Sequence, residues 1–257
     1  MTVLIIGIVA AFASLLTFFS GFGLGTILTP TLFLFFPVEV AIAISGVVHL
    51  LNNLFKIVLV KENINWATAV KFGVPSIIGA FIGAQILMRI PETTVLYAYQ
   101  LGNKLCQVTP LKLIMAVLML FFALFELVPY LKNLQFSRDK LTVGGLISGF
   151  FGGLTGNQGA LRSAFLLRSG LSKEGFIATG IAVACAVDVT RLSVYFSRFV
   201  QLDLQKNGLL LIVATLSAFL GAYVGSKALK KITLSFVQMA VTAMIVVLSV
   251  LLGFGVI

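Results

Sequence analysis

Long apolar runs, separated by short polar or charged stretches, dominate the pattern of this chain. A helix needs about 20 apolar residues to cross a hydrocarbon core of roughly 30 Å. Apolar segments of about this length or longer lie near residues 3–36, 38–60, 66–90, 111–131, 141–167, 175–197, 207–226 and 234–257. Because backbone polar groups in lipid must bond within their own segment, we expect every segment to be helical. The pattern predicts an all-α polytopic membrane protein with no soluble domain, and residues 91–110 are its longest polar connection.

Composition supports this interpretation. Of 257 residues, 60% are hydrophobic and 10% are charged, whereas a soluble domain has about 45–50% and about 25%. These values exclude a soluble globular fold, a disordered chain and a nucleic-acid-binding domain. The net charge of +10 comes from lysines and arginines scattered between apolar runs, which is typical of membrane loops. We therefore expect an integral protein of a bacterial-type cell (inner) membrane, with the lipid bilayer as its partner. No basic stretch precedes the first apolar run, so we expect that run to be retained.

The two halves of the chain resemble each other. Ser20-Gly21-Phe22 recurs as Ser148-Gly149-Phe150, and residues 80–84 recur as residues 218–222. Between these matches, Asn53 and Lys56 occupy the places that Asp188 and Arg191 occupy in the second half. The order of the matches predicts a duplicated four-segment unit, with repeats at 1–131 and 132–257. Paired repeats around a site at the membrane midplane are typical of secondary transporters.

The first segment of each repeat is rich in glycine near its middle. The first contains Gly21, Gly23, Gly25 and Pro30, and the segment 141–167 contains seven glycines. Each glycine weakens a helix by about 1 kcal/mol, and proline weakens it more. We therefore predict that both segments break near their middle, where irregular backbone must be buried in protein or line a cavity. The alternative is close helix packing through small residues.

The distribution of loop charges bears on the topology. If each broken segment crosses the membrane once, the loop lysines and arginines divide evenly between the two sides. If each returns as a hairpin, most of them lie on one side. The positive-inside rule favours the second arrangement. That arrangement makes the two repeats inverted.

Two stripes of polar residues lie inside the apolar segments. His49, Asn52, Asn53 and Lys56 share one helix face, and Asp188, Arg191 and Tyr195 share another. Charged groups inside a bilayer cost at least about 2.5–3.5 kcal/mol each, so they usually face a cavity or a partner. As alternatives, Asp188 and Arg191 form a structural ion pair within one helix, and His49 makes an interhelical hydrogen bond. Because Lys56 is near the end of its segment, we expect it to snorkel to the membrane interface.

Residues 152–163 combine flexible backbone, amides, a hydroxyl and a cation inside an apolar segment. A half-helix that begins near Asn157 directs its free N–H groups and its positive dipole end at the break, which suits an anion. Arg162 adds a permanent charge with a forked donor. The candidate substrate-binding residues here and at the equivalent break of the first half are Thr155, Gly156, Asn157, Gln158, Arg162, Gly25, Thr26 and Thr29. The alternative is that Arg162 only pairs with Asp188 or with glutamates at segment ends.

Two further glycine pairs occupy equivalent segments, at Gly79/Gly83 and Gly221/Gly225. This small-xxx-small spacing predicts close helix packing. We assign these residues no chemistry.

Several of these motifs resemble the sulfite exporter TauE/SafE family of membrane permeases. The resemblance rests on the duplication, on the overall length, and on three stretches: Gly21-Phe22-Gly23-Leu24-Gly25-Thr26, His49-Leu50-Leu51-Asn52-Asn53, and Gly152 through Ser163. It implies export or uptake of sulfur-containing anions such as sulfite or organosulfonates.

The favoured hypothesis is a secondary transporter of small anions that works by alternating access. Arg162 and the half-helix amides would bind the anion, oriented by Asn52, Asn53, Asn157 and Gln158. Three further residues are candidates for proton coupling, namely His49, Asp188 and Arg191. The alternatives are an anion channel and a membrane subunit of a larger complex, and self-association into a homo-oligomer stays open. The sequence contains no nucleotide-binding, metal-protease or hydrolase motif, so we expect neither an enzyme nor a cofactor.

Overall fold

The fold is that of a helical bundle with one small β-hairpin. A computed structural model describes residues 1–20, 23–91, 93–132, 134–201, 207–227 and 235–257. The helices are α1 (Thr2–Ser20), α2 (Gly25–Leu32), α3 (Val38–Val60), α4 (Trp66–Arg89), α5 (Pro110–Leu127), α6 (Pro129–Lys132), α7 (Leu141–Thr155), α8 (Gly159–Leu166), α9 (Lys173–Gln201), α10 (Gly208–Lys227) and α11 (Ser235–Gly253). The two strands are β1 (Tyr97–Leu101) and β2 (Lys104–Val108).

Several helices have the length and composition of membrane spans. Within the described ranges, four are long and apolar enough to cross a bilayer, at Val38–Asn63, Trp66–Arg89, Lys173–Phe196 and Gly208–Lys227. Shorter apolar helices cover Thr2–Phe18, Pro110–Phe125 and Met239–Gly253. Large apolar side chains such as Ile8, Val58 and Leu220 are exposed on the outside of the bundle, as lipid-facing residues are. The chain is therefore an integral membrane protein, as the sequence predicts.

Both glycine-rich segments break near the middle, as predicted. The first break separates α1 from α2, and Gly21 and Phe22 in it lie outside the described residues. The second break separates α7 from α8. There, Gly156 adopts a φ of +81°, which is open to glycine at no steric cost. Its N–H donates to the carbonyl of Gly152 at 2.9 Å, which ends α7 in a left-handed cap.

Glycines bring two pairs of helices into backbone contact. α4 packs along α7, and α1 packs along α10. A Cβ atom added to Gly79 would overlap the carbonyl oxygen of Leu146, and one added to Gly221 would overlap that of Ala11. The close packing predicted for the Gly79/Gly83 and Gly221/Gly225 pairs is therefore confirmed. Each of these helix pairs joins one helix from the first half of the chain to one from the second.

The centre of the bundle is formed by the contact of α3 with α9. α3 also packs on α10, while α9 also packs on α4. At one side, α5 lies against α11. A large cluster of buried apolar residues surrounds this centre, with Ile44, Leu28 and Met115 among its fully buried members. The polar stripes of α3 and α9 thus lie at the junction of the two halves.

The expectation of a purely α-helical fold is wrong for the connection 91–110. Strands β1 and β2 pair antiparallel there, with Tyr97 opposite Val108 and Leu101 opposite Lys104. Gly102 and Asn103 form the two-residue turn, and Gly102 has a φ of +62°. Turns of this kind favour glycine and asparagine because they require positive φ.

Candidate functional site

The polar stripe of α3 is buried inside the bundle. His49, Asn53 and Lys56 are no more than 5% exposed, and Asn52 is fully buried. On α9, Asp188 is fully buried and Arg191 is 2% exposed. Asp188 is the only acidic side chain that is buried in the part of the chain that the structure describes. The two stripes meet where α3 packs against α9, at His49, Asn53 and Asp188.

Asp188 is at the centre of a hydrogen-bonded ionic network. Its Oδ2 lies 2.5 Å from Nδ1 of His49 and accepts a hydrogen bond from the Asn53 amide at 3.3 Å. Its Oδ1 lies 2.9 Å from Nη2 of Arg191 and accepts a hydrogen bond from Nε at 3.0 Å. The structural ion pair within α9 is therefore present, and His49 also makes the interhelical hydrogen bond. The three candidate coupling residues form one network that joins α3 to α9.

Arg191 lies against the second break and connects the network to it. A Cβ atom on Gly156 would lie 2.6 Å from Nη1 of Arg191, and one on Gly46 would lie 3.6 Å from its Nη2. The guanidinium therefore lies between α3 and the carboxyl end of α7, where a cation interacts favourably with the helix dipole. Nearby, the hydroxyl of Tyr195 donates a hydrogen bond to the carbonyl of Gly153.

His49 extends the same network to the first break. A Cβ atom on Gly23 would lie 3.0 Å from Nε2 of His49, so glycine provides the space for the imidazole. The two breaks also approach each other directly. A Cβ atom on Gly25 would lie 3.7 Å from the carbonyl oxygen of Gly156. The network and the two breaks thus form one continuous region at the centre of the bundle.

A small cavity adjoins this region, and two cationic side chains line it. Its polar wall consists of Thr17, His49, Asn53, Lys56 and Arg162, and its remaining wall comes from α1, the first break and α9. Its volume of about 20 Å³ is room for about one water molecule. Arg162 is 6% exposed. Its side chain extends to α9 at Gly180. A Cβ atom added to Gly180 would lie 3.3 Å from Nε of Arg162.

The expectation that Lys56 snorkels to the membrane interface is wrong. Lys56 is 3% exposed, and its Nζ donates to the hydroxyl of Thr17 at 3.5 Å. Its ammonium also lies 5.5 Å from the centre of the Phe18 ring, in the geometry of a cation–π contact. The side chain points inward because α1 supplies a hydroxyl and an aromatic ring beside it.

The other predicted site residues lie around the breaks without lining the cavity. Thr29 donates to the hydroxyl of Ser45 at 2.6 Å, and Thr26 is buried in α2. The side-chain Oδ1 of Asn52 accepts a hydrogen bond from the hydroxyl of Ser14 at 2.9 Å. Thr155 donates to the carbonyl of Phe151 within its own helix at 3.1 Å. Arg162, His49 and Asn53 are therefore the predicted residues that the structure brings together at the cavity.

Asn157 and Gln158, at the start of α8, have buried polar atoms without a partner. Among the described residues, Oδ1 of Asn157 and both amide atoms of Gln158 have no hydrogen-bond partner. Buried polar groups are normally paired. These side chains therefore offer hydrogen bonds to a ligand or to water at the second break.

Sequence reasoning missed Thr17 and Gly180. Thr17 lies on α1 three residues after Ser14, and both hydroxyls face polar groups of α3. Two hydroxyls one helical turn apart in a mostly apolar helix were the available signal. For Gly180 the sequence carries no distinguishing signal, because its role depends on the approach of Arg162.

A metal centre is not among the features of this site. Across the described ranges, no group of three or more His, Cys, Asp or Glu residues could hold a metal ion. The chemistry that these residues provide is that of hydrogen-bond donors, positive charge and one imidazole beside a carboxylate.

Comparison with known proteins identifies the family. The family model described as sulfite exporter TauE/SafE matches residues 6–252, which include both breaks, both polar stripes and the cavity. No curated protein matches the chain, and neither does a solved structure. Since the match covers nearly the whole chain, the protein belongs to the sulfite exporter TauE/SafE family, whose members are membrane permeases for sulfite or similar anions rather than enzymes.

Proposed function

We propose that the protein is a secondary transporter of small sulfur oxyanions, such as sulfite or short organosulfonates, that works by alternating access. The observation that supports this most directly is the buried Arg162 beside a cavity at the centre of the bundle. An anion in this cavity would meet the guanidinium of Arg162 and the polar side chains of His49 and Asn53.

The charge of the site supports an anionic substrate. Three cationic side chains, Lys56, Arg162 and Arg191, are buried here against one carboxylate, Asp188, in the described residues. Buried charge is costly in a membrane. A bound anion adds negative charge beside these cations, and the guanidinium of Arg162 offers paired donors to two oxygens of an oxyanion.

The second break supplies further partners for an oxyanion. Arg162 lies on α8, one turn after Gln158, whose carbonyl accepts the N–H of Arg162 at 2.9 Å. The unpartnered amide of Gln158 and Oδ1 of Asn157 are buried at the start of the same helix. In the proposed cycle, these amides bind or orient the anion as it moves past the start of α8.

Proton coupling is assigned to His49 and Asp188. Their contact joins α3 to α9, so its strength affects how the two helices sit against each other. Histidine is the side chain whose ordinary pKa lies nearest physiological pH. A change in the protonation of the pair therefore provides a way to link proton movement to a rearrangement at the cavity.

Alternating access needs parts that move against each other, and the helix contacts suggest which they are. The pairs α1/α10 and α4/α7 are in backbone contact through glycines. The α3–α9 contact runs through side chains instead. The contacts are also reciprocal, since α3 packs on α10 as α9 packs on α4. This reciprocity supports an inverted repeat with halves 1–131 and 132–257, each beginning with a broken segment.

The test uses the purified full chain and an Arg162→Gln variant. A ligand that binds only the folded state stabilises it by about RT ln(1 + [L]/Kd), or about 2.7 kcal/mol at 100 times Kd. We expect sulfite, thiosulfate or sulfoacetate to raise the thermal midpoint of the wild type and to leave Arg162→Gln unchanged. The matched control is Arg89→Gln, which removes an exposed arginine at the end of α4.

Flux measurements in proteoliposomes complete the test. We expect saturable anion flux that is lost in Arg162→Gln and kept in Arg89→Gln. Flux that Arg162→Gln leaves intact would remove this residue from the site. Conductance that does not saturate would favour an anion channel, and the absence of both binding and flux in folded protein would favour a subunit of a larger complex.

A further inference from the structure

We propose that Lys56 is the second substrate-binding cation of the cavity and that it makes the site selective for dianions over monoanions. The inference rests on the proposed anion site at Arg162 and specifies its substrate class. Compact dianions such as sulfite, sulfate and thiosulfate fit this class, whereas alkanesulfonates with a single negative charge do not.

The side chain of Lys56 lies in the protein interior. It lies on the α3 face that carries His49 and Asn53, and all three side chains line the same cavity. A lysine that serves the membrane interface would extend its ammonium toward water. Here the side chain is 3% exposed and its Nζ donates to Thr17.

Among the described residues, no acidic side chain pairs with Lys56. Its ammonium lies against the hydroxyl of Thr17 and the Phe18 ring. The described residues that line the cavity include no acidic side chain. Asp188, the buried carboxylate of the described residues, is bonded to His49, Asn53 and Arg191 instead. The positive charge of Lys56 therefore faces the cavity alongside that of Arg162.

Two cations on one cavity distinguish ligands by their charge. Coulomb attraction grows with the charge on the ligand, and it is strong where water is largely excluded. Each of the two cations attracts a dianion more strongly than a monoanion, so the second cation increases the difference between them. Specificity is such a difference of affinities.

The small size of the cavity also favours compact oxyanions. Its volume of about 20 Å³ is room for about one water molecule, and Phe176, Ile177 and Ile181 form part of its wall. Even after some expansion, a compact oxyanion fits better than a sulfonate with a bulky organic group. Lys56 and the cavity walls together favour small, doubly charged oxyanions.

The test measures the affinities of purified full-length protein for sulfate and thiosulfate as dianions and for methanesulfonate and nitrate as monoanions, at constant ionic strength. In the wild type we expect the dianions to bind at least about tenfold more tightly. In Lys56→Gln we expect dianion affinity to fall about tenfold or more, while monoanion affinity changes by less than about threefold. Lys56→Arg should keep the dianion preference, and the control Lys71→Gln removes an exposed lysine of α4.

The outcomes separate this inference from the proposed function. If anions bind in an Arg162-dependent way but Lys56→Gln keeps the dianion preference, or weakens both classes equally, the role of Lys56 is overturned alone. If no anion binds to folded wild type, both are overturned. If Lys56→Gln does not fold, the wild-type affinities still test the inference. A wild type that binds methanesulfonate as tightly as sulfate contradicts a site with two cations.

Discussion

Replacement of Gly149 by alanine tests whether backbone contact between α4 and α7 holds the two halves of the chain together. A Cβ atom at this position would overlap the carbonyl oxygen of Ser76 and would lie 2.5 Å from its Cα. Ordinary contact begins at 3.4 Å. The two backbones must therefore separate by at least about 0.9 Å, and the atoms in the way belong to a helix backbone that cannot rotate aside.

The expected effect is a loss of stability. Overpacking of this kind costs about 1–3 kcal/mol, and the separation also weakens dispersion contacts along the interface. Alanine recovers up to about 1 kcal/mol through its higher helix propensity. We therefore expect Gly149→Ala to lower the free energy of unfolding by about 2 kcal/mol.

A matched control isolates the steric effect. Gly73 also lies inside a helix of the same pair, but a Cβ atom there would meet Cγ2 of Val183 at 3.6 Å, an ordinary contact. Gly73→Ala should therefore be neutral or more stable by up to about 1 kcal/mol. Both variants are measured by titration with sodium dodecyl sulfate in mixed micelles, followed by far-ultraviolet circular dichroism. Equal stability of Gly149→Ala and Gly73→Ala would refute the reasoning.

Two further predictions concern the buried network. Asp188→Asn removes the carboxylate that balances Arg191 and should lower the free energy of unfolding by about 3–5 kcal/mol in the same titration; a loss below about 1 kcal/mol would show that Arg191 has another counter-ion. His49→Gln keeps a polar side chain but removes the imidazole that contacts Asp188, so anion flux into proteoliposomes should lose its response to an imposed proton gradient. A variant whose flux keeps the wild-type response to the gradient would show that His49 does not carry the coupled proton.

The membrane spans and the breaks could be predicted because their signals are local. Segment 38–60 coincides with α3, since a mostly apolar run bounded by Pro37 and Lys61 can be recognised without knowledge of its neighbours. The glycine clusters gave both breaks for the same reason, because glycine weakens a helix wherever it lies. The hairpin at 97–108 was missed although Gly102-Asn103 is a local turn signal. Its strands are short and mostly exposed, so their pattern resembles an ordinary polar loop.

Partners across the bundle could not be predicted, because they depend on packing between distant parts of the chain. The helical spacing of Asp188 and Arg191 gave their ion pair, but His49 is 139 residues away from Asp188. Lys56 was misjudged for the same reason. A lysine near the end of a membrane helix is expected to extend to the membrane interface. The side chain of Lys56 points inward because α1 places Thr17 beside it.

In the proposed cycle, the contrast between the helix contacts determines where movement takes place. The α1/α10 and α4/α7 pairs are joined by backbone contacts at glycines, and such contacts resist small displacements because no side chain can adjust. The α3–α9 contact is made by the side chains of His49, Asn53 and Asp188, whose hydrogen bonds depend on charge and protonation. A proton on His49 and an anion beside Arg162 would both act on this one contact. Coupling requires that two ligands bias the same rearrangement, and the α3–α9 contact meets that requirement.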